Sequence, residues 1–298
     1  MRAENGVQFA EIGGRSARIG TRDITSLEGA LETARRRGID HLLVAPWVQL
    51  LGESFDSQAQ ALELCRLQNR ELAALEGPVT ALGTVPMRSP AIAAEELRRA
   101  LDLGLRGVEV TASIAGTFLG DDAFEPFWAA AERLGALVFV HPSSRGASSS
   151  AASSYFLWNT VGNPVETATT AAHMVMAGVL ERHPGLLVLL AHGGGAAVQL
   201  RGRLEHAWGF EPSARSRLGE SPADSLRRLL FDTIVYDAAV LRHLVEFAGT
   251  DRVLLGTDHP FEMAEDDPVG LVRAAGLDEA AERAIMRGNA ARILGLDG

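Results

Sequence analysis

Short, almost continuously apolar runs alternate with longer amphipathic stretches along most of the chain. The runs lie at residues 41–45, 79–85, 107–110, 136–140, 186–191, 233–236 and 253–256. Continuous rather than alternating hydrophobicity is typical of parallel strands that are buried on both faces. Strands that alternate with helices predict an α/β fold built of βαβ units around a parallel sheet.

Seven such units can be counted, whereas a complete α/β barrel has eight. Before these seven units, the sequence of residues 7–19 predicts a small hairpin that turns at Gly13 and Gly14 and is not followed by a companion helix. The 298 residues suffice for one barrel, because barrels of this kind use about 250 residues as a single domain.

Charge and cysteine content exclude several classes of protein. A net charge of −10 and a pI of about 5.3 argue against a nucleic-acid-binding surface or an anionic membrane surface. The only cysteine, Cys65, rules out an internal disulfide framework and a cysteine-built zinc site. The first residues lack the apolar segment of a signal peptide, so we expect a cytoplasmic protein.

Two helices can be predicted from local patterns. Phe55, Leu62, Cys65 and Leu72 share one helical stripe, which makes Cys65 a buried apolar side chain rather than a nucleophile. A second helix is predicted to begin at residues 163–166 (Asn-Pro-Val-Glu), with the asparagine as N-cap and the glutamate closing a capping box. The serine-rich segment 143–154 is either a solvated loop or a mobile lid.

Polar side chains follow several of the predicted strands directly. They are His141, His192, Asp237, Asp258 and His259. The carboxyl ends of parallel strands share one face, which is where α/β active sites are built, so we predict a functional site there.

Imidazole and carboxylate groups are ligands for zinc and similar divalent ions, which makes His141 and Asp258 candidate ligands. They are only two, whereas a catalytic zinc usually has three protein ligands. The remaining histidines are predicted to be surface or capping residues: His41, His173, His183, His206 and His243.

His192 opens a His-Gly-Gly-Gly sequence that two familiar motifs do not explain. The dinucleotide-binding pattern fails because Val198 occupies its last glycine position, and the oxyanion loop of α/β-hydrolases requires a Gly-x-Ser-x-Gly sequence that does not occur here. A tight turn remains, either purely structural or holding His192 at a pocket. On the following helix, Arg201 and Arg203 are either solvated or available to a substrate carboxylate.

Three ordered motifs carry a family resemblance: residues 138–142 (VFVHP), 190–195 (LAHGGG) and 255–261 (LGTDHPF). They resemble the amidohydrolase superfamily, and within it the decarboxylase branch typified by aminocarboxymuconate-semialdehyde decarboxylase and γ-resorcylate decarboxylase. Residues 288–290 (GNA) and the spacing of the motifs also fit. The resemblance covers nearly the whole chain.

The resemblance implies a (β/α)₈ TIM-like barrel with one zinc or another divalent ion such as Mn²⁺. His141 and Asp258 would be metal ligands, with Asp258 also catalytic, and His192 would be the acid/base. Arg203 would hold a substrate carboxylate of a neighbouring subunit in a homodimer. The reaction implied is non-oxidative decarboxylation of an unsaturated or aromatic carboxylic acid. Further substrate contacts are expected from Tyr155, Asp237 and His259.

One part of the family pattern is absent. The first strand of the family ends in His-x-His, which supplies two metal ligands, and this sequence contains no His-x-His. We therefore expect a single barrel domain over residues 1–298 that lacks the first strand, with residues 1–22 as its inserted hairpin region. Either the start codon is assigned too late, which we favour, or the protein is a degenerate member with impaired activity.

Two other functions stay open from the sequence. Metal-dependent hydrolysis of an amide or a lactone uses the same fold and the same metal chemistry. A barrel without its metal could instead bind a carboxylate or a partner protein without catalysis.

Overall fold

The computed structural model describes residues 2–4, 7–12, 15–20, 22–51, 55, 57–143 and 150–296. The strands, in chain order, are β1 Arg2–Glu4, β2 Val7–Ile12, β3 Arg15–Ile19, β4 Leu42–Val44, β5 Val79–Ala81, β6 Gly83–Thr84, β7 Gly107–Thr111, β8 Ser113–Ile114, β9 Thr117–Phe118, β10 Leu137–His141, β11 Leu187–Leu190, β12 Leu230–Asp232 and β13 Val253–Leu254.

The α-helices are α1 Leu27–Arg36, α2 Gln58–Ala73, α3 Pro90–Asp102, α4 Glu125–Leu134, α5 Asn163–Met176, α6 Val179–Arg182, α7 Ala197–Phe210, α8 Pro212–Arg215, α9 Pro222–Leu226, α10 Ala238–Ala248, α11 Pro268–Ala274, α12 Glu279–Arg283 and α13 Asn289–Leu294. Turns of 3₁₀-helix lie at Arg22–Ile24, Val48–Leu50, Asp122–Phe124, Ser150–Ser153, His192–Gly194 and Thr250–Arg252, and π-helical turns at Trp158–Gly162 and Ala284–Gly288. None of the described helices combines the length and the apolar character that a bilayer crossing requires.

Seven parallel strand positions form the centre of the molecule. β4 pairs with β5, and the order β6-β7-β10-β11-β12-β13 continues the array. β5 and β6 are one strand interrupted at Leu82, whose N–H donates to the Val44 carbonyl at 2.9 Å. Within the described ranges no further strand pairs with the outer edge of β4 or of β13. The α/β barrel predicted from the sequence is confirmed.

Successive side chains of each strand pack alternately into two different apolar layers. On β10, Val138 and Val140 belong to the large core that packs against the helices, whereas Leu137 and Phe139 belong to a second cluster inside the array. Successive side chains of a strand point to opposite faces, so His141 lies on the inner face at the carboxyl end. The buried members of the inner cluster are Leu82, Leu137, Leu189, Leu230, Leu254, Ile293 and Leu294.

The predicted hairpin before the barrel is confirmed. β2 and β3 are antiparallel, and β1 pairs with β2 on the other side. The predicted turn at Gly13 and Gly14 lies outside the described residues. Its assignment to an inserted region within a single domain stays a prediction.

The predicted strand at 233–236 is wrong. The strand at this position is β12, and it ends at Asp232. The Asp232 carboxylate accepts a hydrogen bond from the Ile234 N–H at 3.0 Å, two residues along the chain. Such a side-chain bond to the backbone replaces the sheet bond and turns the chain.

The predicted start of the helix is confirmed, because α5 begins at Asn163, but the predicted capping is wrong. A π-helical turn precedes it, and Asn163 itself has helical dihedral angles (φ −62°, ψ −51°), so it is not an N-cap. Glu166 does not close a capping box. Its carboxylate accepts hydrogen bonds from the Ser113 hydroxyl at 2.7 Å and from the Ser143 N–H at 3.0 Å.

Other local predictions can be compared with the structure directly. Cys65 is fully buried in α2, as its position in the apolar stripe predicted. Within the serine-rich segment, residues 144–149 lie outside the described ranges.

Candidate active site

Three predicted side chains meet at the carboxyl ends of the parallel strands. His141 ends β10, His192 follows β11, and Asp258 lies four residues beyond β13. Each offers a ligand atom, and these atoms lie within 4.8 Å of one another. The Nε2 atom of His192 is 4.0 Å from Oδ1 of Asp258, and the centroids of the two imidazole rings are 5.2 Å apart. The convergence predicted from the strand ends is therefore present.

His141 has the form that a metal ligand needs. Its Nδ1 lies 2.9 Å from the Pro142 carbonyl oxygen, which only accepts, so Nδ1 carries the proton and Nε2 keeps a lone pair. Burial, followed by the positive charge of His192, lowers the pKa of His141 to about 4. A neutral imidazole with its second nitrogen fixed by a carbonyl is a common arrangement for metal-binding histidines.

His192 lies in a strained turn. Its φ is +58°, and left-handed values continue through Gly193, Gly194 and Gly195. A residue with a β-carbon pays about 1–2 kcal/mol for this conformation. Gly195 is required, because a β-carbon there would lie 2.1 Å from the Pro164 carbonyl oxygen.

Asp232, which the sequence reasoning missed, fixes this turn. It is 8% exposed, and its carboxylate accepts hydrogen bonds from the backbone N–H groups of His192 at 3.0 Å and Gly193 at 2.7 Å. The misplaced strand made Asp237 the polar residue at the strand end instead. An aspartate directly after the apolar residues 229–231 was the available signal.

The pKa values of His141 and His192, whose rings are neighbours, shift in opposite directions. Burial lowers the pKa of His192, but the carboxylates of Asp258 and Asp232 outweigh burial and the net shift is upward. At 4.0 Å the contact with Asp258 is electrostatic rather than a good hydrogen bond. Nδ1 of His192 is buried and has no hydrogen-bond partner in the described part of the chain. Oppositely shifted neighbours are typical of acid and base assignments in active sites.

His259 lies beside the three, and the Nε2 atom of its ring is 3.0 Å from Oδ2 of Asp23. Its Nδ1 is 3.5 Å from Nη1 of Arg37. The ring therefore connects the loop that carries Asp258 to the segment that precedes α1.

The other predicted substrate residues lie outside this group. Asp237 is exposed and caps α10, accepting from the N–H groups of Ala239 at 2.8 Å and Val240 at 3.0 Å. Tyr155 is 92% exposed. Arg203 is exposed on α7.

The remaining histidines take no part in the site. His41 is at the opposite end of the barrel, with Nε2 2.8 Å from the Thr80 hydroxyl. His173, His206 and His243 lie on α5, α7 and α10. For His183 a surface or capping role was predicted. It is the C-cap residue of α6, which confirms the capping role, but it is only 8% exposed and its ring lies between Glu125 and Glu132.

A cavity of about 320 Å³ lies away from this group. It is lined by residues 72, 73 and 75 of α2 and its end, by β5, by residues 104–106 and by residues 294–296. Residues 79 and 104–106 lie at the amino ends of the strands, so the cavity is at the opposite end of the barrel from the site.

Comparison with known proteins gives a consistent result. The model of the amidohydrolase family matches residues 29–296. A curated relative, 2-amino-3-carboxymuconate-6-semialdehyde decarboxylase of Dictyostelium discoideum, is 33% identical over 244 residues, which are 80% of this chain and 68% of the relative.

Two solved structures share the fold. That of 5-carboxyvanillate decarboxylase from Sphingomonas paucimobilis has a TM-score of 0.81 and 27% identity, over 91% of this chain and 83% of its own. That of dihydroxybenzoic acid decarboxylase from Polaromonas sp. JS666, with bound manganese and the inhibitor 2-nitroresorcinol, has a TM-score of 0.77 and 23% identity, over 91% of this chain and 86% of its own. The predicted family is confirmed, and these relatives are carboxy-lyases.

Proposed function

Because the chain belongs to the amidohydrolase family, we propose that it catalyses metal-dependent, non-oxidative decarboxylation of an unsaturated or aromatic carboxylic acid. One observation supports this most strongly: a neutral histidine, a protonatable histidine and a carboxylate meet at the carboxyl ends of the strands. Removal of CO₂ needs a group that holds the carboxylate and a group that supplies a proton.

His141 and Asp258 are the residues that would hold a divalent ion. Imidazole nitrogen and carboxylate oxygen suit zinc and manganese, and the free Nε2 lone pair of His141 fits a ligand role. When bound, the ion supplies a Lewis acid that holds and polarises the substrate carboxylate. His192 is close enough to be a third ligand, so its role has to be tested by metal content as well as by activity.

His192 is proposed as the proton donor. The bond between the substrate carbon and the carboxyl carbon breaks, and its electron pair stays on the substrate carbon. That carbon takes a proton from the His192 imidazolium, and CO₂ leaves. Solvent then returns a proton to the imidazole. The upward shift in the pKa of His192, caused by the neighbouring carboxylates against burial, favours the protonated form before reaction.

Arg203 is proposed to act on a second copy of the chain. Its side chain is exposed on α7, which follows the His192 turn, and Arg203 forms no ion pair with the described residues. In a homodimer it would hold a substrate carboxylate in the partner's site. Tyr155, Asp237 and His259 are proposed as further substrate contacts.

The test is CO₂ release by the full chain loaded with Mn²⁺ or Zn²⁺. The substrates are 2,6-dihydroxybenzoate, 5-carboxyvanillate and 2-amino-3-carboxymuconate-6-semialdehyde. We expect metal-dependent CO₂ release from at least one of them. Stoichiometric metal with no CO₂ from any substrate would contradict the proposal, and cleavage of an amide or lactone panel would replace it with the hydrolytic alternative.

A further inference from the structure

Asp232 is a buried carboxylate that no predicted role includes. It ends β12 on the inner face of the barrel, since Leu230 belongs to the inner cluster and Phe231 to the outer core. Its relative exposure is 8%. A buried carboxylate is stable only when it is hydrogen-bonded, so its hydrogen-bond partners indicate its role.

Those partners are successive backbone groups of the catalytic turn. Oδ2 accepts from the His192 N–H at 3.0 Å, and Oδ1 accepts from the Gly193 N–H at 2.7 Å. Oδ1 also accepts from the Ile234 N–H at 3.0 Å, which anchors the carboxylate to its own strand end. Because the two oxygens accept hydrogen bonds from two consecutive N–H groups, they fix the plane of the peptide bond between His192 and Gly193. The direction of the Cα–Cβ bond of His192 is set as a result.

The conformation that is held is an unfavourable one for histidine. His192 has a φ of +58°, a region that residues with a β-carbon rarely occupy. Strained residues of this kind persist when their surroundings over-determine them. Bonds to an ionised acceptor are stronger than neutral ones, so the Asp232 carboxylate is suited to hold this turn.

The same strand end also packs against the loop that carries Asp258. A β-carbon on Gly256 would lie 2.9 Å from Cβ of Asp232, so glycine is what allows the close approach. The Gly256 N–H donates to the Thr233 hydroxyl at 3.0 Å. Asp232 therefore lies between the His192 turn and the Asp258 loop, and contacts both.

We propose that Asp232 is a positioning residue that aims the His192 ring at the substrate, an inference that rests on the proposed decarboxylase function. It acts through the backbone of His192 and Gly193. The proposed metal ligands His141 and Asp258 make no hydrogen bond to Asp232, whose bonds within the described residues go to backbone N–H groups. Loss of Asp232 should therefore lower kcat and leave KM and metal content nearly unchanged.

The test variant is Asp232→Asn, which keeps the size of the side chain but has one acceptor oxygen. Its amide NH₂ would face one of the backbone N–H groups. We expect kcat to fall by about 10–100-fold, as for other residues that orient a catalytic group. KM and the metal content of the loaded protein should stay within about twofold.

Glu96→Gln is the matched control. Glu96 is also buried, at 2% exposure, and accepts hydrogen bonds from Asn69 at 2.9 Å and Arg99 at 3.2 Å on the outer side of the barrel. This variant should lower folding stability without changing kcat per folded molecule. A loss of kcat in Asp232→Asn that only follows the folded fraction, as in the control, would overturn the proposal.

Amide hydrogen exchange separates this inference from the proposed function. In the wild-type protein the N–H groups of His192 and Gly193 should exchange slowly. In Asp232→Asn the one that faces the amide NH₂ should exchange at least about 10-fold faster. If the wild type releases no CO₂, the decarboxylase proposal fails while the exchange result still tests the hydrogen bonds. Unchanged exchange in Asp232→Asn would overturn the positioning role whatever the activity.

Discussion

Two histidines flank β11, and they differ in their hydrogen bonds and in their backbone conformation. His183 precedes the strand, and its ring nitrogens lie 2.9 Å from Glu132 and 2.7 Å from Glu125. His192 follows the strand and also has two carboxylates nearby. Its Nδ1, however, has no partner among the described residues, and its Nε2 is 4.0 Å from Asp258.

This difference is the one expected between a structural histidine and the proposed proton donor. His183 has both ring nitrogens bonded, as buried polar groups in stable structures do. His192 leaves hydrogen-bonding capacity unused and adopts a strained backbone, both of which cost folding free energy. The amino ends of barrel strands serve stability and the carboxyl ends serve chemistry, and these two residues follow that division.

The largest effect is expected for His192→Ala. Removal of the proposed proton donor should lower kcat by about 10²–10⁴-fold. Folding stability should change little, because the ring makes no close hydrogen bond. CO₂ release, metal analysis and thermal unfolding of the same preparation would measure all three. Loss of metal from this variant would make His192 a ligand and contradict the proposed role.

His183→Gln should show the opposite pattern. Both donor hydrogens of Gln are on one nitrogen, whereas His183 contacts Glu132 and Glu125 through two different ring nitrogens. Gln therefore cannot reproduce both contacts, and stability should fall by roughly 1–2 kcal/mol, a value reduced because Glu125 is partly exposed. The kcat per folded molecule should stay within about twofold of the wild type. Urea unfolding and activity assays would measure the two effects. A large loss of kcat at full folding would remove the distinction between the two histidines.

A fall in pH should weaken the interactions among His183, Glu125 and Glu132. The Gly185 N–H and then His183 hold the pKa of Glu132 below its ordinary value of 4.5. A carboxyl group whose pKa is lower in the folded protein than in the unfolded chain stabilises the fold at pH values above its unfolded pKa. This stabilisation is lost as the pH falls through its folded pKa. We therefore expect the unfolding free energy to fall below about pH 4.5, and less steeply in His183→Gln. Equal slopes in both proteins would contradict the assignment.

The smallest effect is expected at Asp237. This carboxylate lies on the functional face, but its observed bonds are those of a helix cap. Asp237→Ala should cost about 1 kcal/mol of stability, and Asp237→Asn, which can still cap, should restore it. Thermal unfolding and KM of both variants would be compared. If Asp237 contacts the substrate as proposed, KM should be raised in the stable Asn variant, and an unchanged KM would contradict that contact.

Six of the seven barrel strands could be predicted because their apolar runs end where the sheet ends. The exception is β12. Residues 233–236 have high β-propensity, but the hydrogen bond from Ile234 to Asp232 ends the strand earlier. Side-chain bonds to the backbone are not visible in hydrophobic periodicity.

The candidate site could be predicted where it depends on strand ends. His141, His192 and Asp258 follow apolar runs, and parallel topology brings such positions together. Asp232 was missed because the strand was placed at residues 233–236 instead of ending at Asp232, and the partners of His183 could not be found from strand ends. Glu125 and Glu132 are 58 and 51 residues away from His183 in sequence, so their contact depends on how α4 packs.

Decarboxylation in D₂O by the metal-loaded full chain tests the central claim most directly. The wild type and His183→Gln should release CO₂ and place one deuterium on the carbon that lost it. His192→Ala should retain its metal and form this product at least about 100-fold more slowly. Deuterated product from His192→Ala at the wild-type rate would contradict the account.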